Sequence, residues 1–134
     1  MAKIEKVEGI GPTYGNKLKA AGVPTTGALL KKGATTKGRK EIAKETGISA
    51  KLILEWVNHV DLFRVKGVGE EYADLLEEAG VDTVPELAQR KPANLYEALV
   101  ATNQKKKLVR QLPGETRVAA WVQQAKKLPR VVQY

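Results

Sequence analysis

The sequence predicts an all-α protein made of two similar lobes of short helices, 1–64 and 65–134, packed as one compact unit. Three observations predict it. The stretch "VEGIGPTYGNKLKAAGV" at 7–23 returns as "VKGVGEEYADLLEEAGV" at 65–81, an offset of 58 residues. Apolar residues recur at helical spacing between Gly, Pro, Ser and Thr punctuation. No window alternates apolar and polar residues long enough to require a strand.

The elements follow in order. Pro12 suits the first helical position after Gly11, and Gly22 ends that helix in left-handed backbone. Tyr14, Leu18 and Ala21 form its buried stripe. Thr25 or Thr26 caps a short helix through Leu29 and Leu30, closed by Gly33. A helix opening at or near Thr36 runs through Ile42 and Ala43 to Gly47. Ser49 caps "AKLILEWVNHVDLF", whose core face is Leu52, Ile53, Trp56, Val57 and Val60. The second half predicts helices near 70–79, 85–90 with Thr83 as cap, 95–104 and 115–127. "EWV" at 55–57 matches "AWV" at 120–122 at an offset of 65, so about seven residues are inserted around "NQKKKLVRQLPGE". A duplication of this kind predicts two supersecondary units of one design.

The opening of each half, an apolar residue, a polar residue and Gly-apolar-Gly before a helix, resembles the helix-hairpin-helix motif. Its glycines permit unusual backbone angles and its middle apolar residue plugs the core. Amide N–H groups then face outward at the positive end of a helix dipole, an arrangement that fits a phosphate. In the first half Gly9, Ile10, Gly11, Thr13 and Tyr14 make that loop; Pro12 has no N–H to give. Asn16, Lys17 and Lys19 follow, and Lys37, Arg39 and Lys40, with Lys31 and Lys32, could extend the contact. In the second half Glu70 and Glu71 stand where a phosphate would come, with Asp74, Glu77 and Glu78 behind them. That loop is expected to be structural, or to face a basic partner such as "QKKKLVR" and "QQAKKLPR" of the same chain or another molecule.

Charge agrees with this division. The chain has a formal net charge of +8 and a pI near 9.7, which makes a polyanion a plausible partner. Residues 12–40 carry seven Lys or Arg and no acid, whereas 65–86 carry Lys66 against seven acids. No long helix has Arg, Asn and Gln spaced for base edges, so backbone contact without sequence specificity is expected, to DNA or RNA.

Other chemistry finds little footing. There is no cysteine, so disulfides and thiolate metal sites are excluded. The one histidine, His59, has no cysteine to join it, Asp61 two residues on falls on another helical face, and no P-loop or H-E-x-x-H occurs. Neither a catalytic residue, a metal ligand nor a cofactor is expected. No apolar run reaches the length of a membrane span, and "MAKIEKVEG" lacks a signal-peptide core, so a cytoplasmic, soluble protein is expected. The segment "LPRVVQY" is apolar enough to dock on the body or on a partner.

Four stretches, "GIGPTYGNKLKAAGV", "GRKEIAKETGISAKLILEWVNHVDL", "KGVGEEYADLLEEAGVDTVPELAQR" and "LVRQLP…WVQQAKKLP", make nearly the whole chain similar to one family of small bacterial proteins. That family is characterised only as a helix-hairpin-helix domain of unknown function. The resemblance implies a fold related to hairpin domains of DNA repair and replication proteins, and it supplies no activity. The expected function is non-enzymatic binding of nucleic-acid backbones through the first hairpin. The alternative is a protein-interaction module that pairs acidic and basic surfaces.

Overall fold

The computed structural model describes residues 3–7 and 9–134. Among these, all regular structure is helical, and an isolated antiparallel bridge joins Lys3 to Thr25. Eight α-helices follow in order: α1 Gly11–Ala20, α2 Thr26–Gly33, α3 Thr36–Thr46, α4 Ala50–Asp61, α5 Glu70–Glu78, α6 Val84–Gln89, α7 Pro92–Lys106 and α8 Glu115–Lys127. Short 3-10 turns, Ile4–Lys6 and Leu62–Arg64, precede the two glycine loops.

Local chemistry explains most boundaries. The Thr25 hydroxyl accepts the Ala28 N–H at 3.1 Å, and the Thr83 hydroxyl accepts the Glu86 N–H at 3.1 Å. Each cap stabilises its helix by about 1 kcal/mol. Gly47 ends α3 with φ +76, a left-handed angle that costs glycine little. Helix α3 opens at Thr36 as expected and is capped by Thr35, which has extended backbone and whose hydroxyl accepts the Gly38 N–H at 3.0 Å. One boundary differs from expectation. Helix α7 begins at Pro92 rather than near 95, because proline fits the first turn, where its missing N–H costs nothing.

The chain forms two compact units: residues 1–61 with 130–134, and residues 62–129. The closing segment thus belongs to the first unit, whereas a division at 64/65 leaves it with the second. Hydrogen bonds account for this. Gln133 N–H donates to the Ala34 carbonyl at 2.7 Å, and the Tyr134 hydroxyl donates to Asn58 Oδ1 at 2.9 Å. Val132 is 2% exposed.

In the first unit Ile4, Leu18, Val23, Leu29 and Ile53 are fully buried. Each such side chain removed from water contributes about 1.5–3 kcal/mol before entropy is counted. Helix α4 presents Ile53, Trp56, Val57 and Val60 as expected, but Leu52 is only half-buried. Helix α2 packs on α4 at Gly33, where a Cβ would stand 2.5 Å from Val57 Cγ2. In the second unit Leu62, Leu75, Leu76, Leu87, Leu95, Leu99 and Trp121 form the core, with α6 and α7 packed on α8.

The two units share local geometry at the 58-residue offset. Val23 N–H donates to the Leu18 carbonyl at 2.8 Å, and Val81 N–H donates to Leu76 at 2.8 Å. Ile10 N–H donates to Val7 at 3.1 Å, and Val68 N–H donates to Val65 at 3.0 Å. Gly9 and Gly67 have φ +88 and +90; Gly22 and Gly80 have +83 and +97. The extra length of the second unit lies in α7, fifteen residues against eleven for α3, and in the loop after it. Asn103 closes that loop, accepting the Val109 N–H at 3.0 Å and donating to the Val109 carbonyl at 3.2 Å.

Candidate functional site

In the first unit the chain turns through Gly9–Gly11 into α1. Gly9 is exposed, Ile10 is 3% exposed and plugs the core, and Gly11 has φ +62. Among the described residues no atom beyond the chain neighbours lies within 4 Å of where a Gly11 Cβ would stand, and no side chain caps α1, whose first turn holds no acid. The first amides of the helix carry the positive end of its dipole.

The expected site residues separate into three groups. Thr13, Asn16 and Lys17 are exposed on the first two turns of α1, beside Gly9 and Gly11. Tyr14 is half-buried, its ring 5.2 Å from that of Trp56 at 60°, an edge-tilted aromatic pair. The second group is already engaged. The Ile10 amide is spent on Val7. Lys19 Nζ donates to Glu5 Oε2 at 2.6 Å, and this bond holds the Glu5 carboxyl below its ordinary value. Gly15 makes room for it: a Cβ there would stand 2.7 Å from Glu5 Cγ.

Arg39 also belongs to this engaged group. It is 4% exposed and not a surface cation. Its guanidinium donates to the carbonyls of Gly33 at 2.8 Å, Ala34 at 3.1 Å and Gln133 at 2.5 Å, and to the Thr36 hydroxyl at 3.2 Å. Burial lowers its pKa from the ordinary value, though an arginine stays charged at any ordinary pH.

The third group lies on α3. Lys37 and Lys40 are exposed and are chain neighbours of Gly38 and Glu41. Those two, with Ala21, Lys32, Ile42 and Glu45, line a cleft of about 240 Å³. Ala21 follows the last turn of α1, about 15 Å from Gly11 by helix rise. Lys32 is also engaged, donating to the Gly22 carbonyl at 2.8 Å.

In the second unit Gly67 is exposed, whereas Gly69 differs from Gly11 in having an ordinary φ of −98. Gly69 starts α5 without a side-chain cap, and nothing lies within 4 Å of its Cβ position. Glu70 and Glu71 occupy the first turn as expected. Lys106, in the last turn of α7, bonds Glu78 on the acidic helix α5.

Three residues here escaped sequence reasoning. Trp121 Nε1 lies 3.2 Å, and Arg117 Nε 3.8 Å, from where a Gly67 Cβ would stand. The Arg117 guanidinium sits 5.5 Å from the centre of the Tyr72 ring, and its Nη1 donates to the Tyr72 hydroxyl at 3.4 Å. Gln124 holds the loop, with Oε1 accepting the Lys66 N–H at 2.9 Å and Nε2 donating to the Lys66 carbonyl at 3.4 Å. The signal lay in the 65-residue offset, which sets Arg117 opposite Leu52 and Gln124 opposite His59.

The first unit carries twelve Lys or Arg against six acids, and the second eleven against nine. Most of the positive charge is therefore in the unit whose helix α1 carries no acid. Among the described residues no group of three or more His, Cys, Asp or Glu is placed to hold a metal ion. No described helix is long and apolar enough to cross a membrane. Comparison with curated proteins and with solved structures gives no match. One family profile, described as a domain of unknown function (DUF4332), covers residues 8–128, nearly the full chain, and the protein belongs to that family.

Proposed function

We propose that the two glycine loops are helix-hairpin-helix motifs from a duplicated unit, and that the protein binds nucleic-acid backbones through the first. It does so without chemistry on the substrate and without reading bases. The observation that carries this is the start of α1: among the described residues it is open at Gly11 and uncapped, and its first turn is free of acid. A phosphodiester oxygen suits such amides, because it supplies both the acceptor and the negative charge. The Thr13 hydroxyl, the Asn16 amide and the Lys17 ammonium stand beside it as further donors.

With Lys19 and Arg39 engaged elsewhere, Lys17 is the cation beside this loop, and one neutralised phosphate gives a slope of log K against log salt of about −0.9 on duplex DNA. The test is a titration with duplex and single-stranded DNA and RNA at several salt concentrations. Binding at low salt that Lys17→Glu weakens at least about tenfold, equally for unrelated sequences, supports the reading. Absence of binding at low salt, or indifference to Lys17→Glu, sinks it. The alternative, a module joining acidic and basic surfaces between molecules, has less support, because Glu78 and Lys106 already pair within one unit.

A further inference from the structure

The second glycine loop has three features that the first unit's binding reading leaves unused. The first is Trp121. Its residue is 1% exposed, and its indole N–H has no hydrogen-bond partner. Buried N–H groups are almost always paired, so an orphan asks for an explanation. This one lies against Gly67, 3.2 Å from where a side chain would begin. The second is Arg117, whose Nε is 3.8 Å from the same point and whose guanidinium is held on the Tyr72 ring. The third is the uncapped start of α5, open at Gly69.

We infer that the Gly67–Gly69 loop is a second phosphodiester site, whose cation, Arg117, comes from α8 and not from the loop's own helix. The inference rests on the reading that the protein binds nucleic-acid backbones. Glu70 and Glu71 make the α5 start hostile to anions, and Arg117 with Lys66 offsets that charge. The Gln124 clamp on the Lys66 backbone fixes the loop, so the amides need no reordering to receive an oxygen. The same acids penalise a dianion more than a monoanion, since the Coulomb term scales with ligand charge. A singly charged phosphodiester is therefore the favoured ligand over a terminal phosphate. An arginine serves here where a lysine would not, because its planar fork can lie on Tyr72 and still donate outward.

The test is a set of 1H–15N spectra of the whole chain, titrated at low salt with a short duplex oligonucleotide. In the native protein the Gly67 and Gly69 amides and the Trp121 indole N–H shift saturably. In Arg117→Gln those shifts are lost while the Gly9, Gly11 and Thr13 shifts persist, and the salt slope falls by about 0.9. Arg117→Lys recovers part of the shift at Gly67. An unmoved Trp121 indole and unmoved Gly67 and Gly69, with the first loop responding, overturn the inference and leave the first reading intact. Equal responses in Arg117→Gln and the native chain overturn it too. Silence at both loops overturns the nucleic-acid reading itself. If Arg117→Gln fails to fold, the native titration of the Trp121 indole decides alone.

Discussion

The two glycine loops differ in what holds them and in the angle of the second glycine, +62 at Gly11 against −98 at Gly69, and agree in how the backbone enters the turn. Gly9 and Gly67 share a left-handed φ, Ile10 and Val68 plug their cores, and Tyr14 and Tyr72 pack on Trp56 and Trp121 at 5.2 and 5.3 Å. Around that common frame the polar groups are unrelated. The first loop leads into a helix with Lys17 and Lys19, the second into one with Glu70 and Glu71. The lesson is that the turn is fixed by a few apolar and glycine positions, which leaves surface charge free to vary. Charge read along one helix can still mislead: the second loop has Arg117 at its edge, supplied by α8 some fifty residues further along.

The comparison breaks most visibly at the tryptophans. Trp56→Ala and Trp121→Ala should each cost about 3–5 kcal/mol, through lost burial and the cavity left behind. Hydrogen exchange should show the loss confined to the unit that carries the substitution. A loss below about 1 kcal/mol for either tryptophan would show that the shared frame does not depend on it.

The next test sharpens the comparison. Gly9→Ala and Gly67→Ala each force a Cβ into left-handed backbone, at about 1–2 kcal/mol. Gly67→Ala should cost more, because its Cβ would press on Trp121 Nε1 at 3.2 Å, whereas Gly9 has 3.7 Å to Trp56 Nε1. Urea midpoints of the two variants in the reverse order would refute the tighter packing of the second loop.

The smallest effect is in pH. In the first unit the bond from Lys19 lowers the Glu5 pKa below 4.5. Its stabilisation is present above pH 4.5 and fades as pH falls through the lowered value. In the second unit the hydrogen bond with Asp82 raises the Glu86 pKa above 4.5. Its stabilisation is present below pH 4.5 and fades as pH rises through the raised value. Glu5→Gln should therefore lower stability at pH 6 and not at pH 3, and Glu86→Gln should do so only on the acid side. Both changes should be small, and stability curves that shift in the same direction with pH would contradict the assignment.

Much of the fold could be read from sequence because caps and stripes are local. Thr25, Thr83 and Ser49 each accept an N–H three residues on, and Gly47 ends its helix as its residue type requires. The candidate site was less legible, because the fate of a cation depends on partners distant in sequence. Lys19 meets Glu5 fourteen residues back, and Arg39 meets Gln133 ninety-four residues on. Within "KGRK" nothing distinguishes the buried arginine from its exposed lysine neighbours. Arg117 was hidden differently: the length of α7 and of the loop after it sets α8 outside the 58-residue register of the two glycine loops.

The bond from Arg39 to Gln133 also sets an order of assembly. The second unit is one continuous run of chain, whereas the first is finished only by residues 130–134. A ribosome releases residues 62–129 before it releases the strap that completes the first unit. The first unit must therefore wait, with Val132 absent from its core and the buried Arg39 guanidinium lacking the Gln133 carbonyl, until its neighbour in sequence has emerged. Closing a loop of this length on an unstructured chain carries a high entropic cost, and a folded second unit shortens the flexible span to be closed. The second unit is thus expected to fold first, and the slowest step of the whole chain is expected to be the seating of its last five residues.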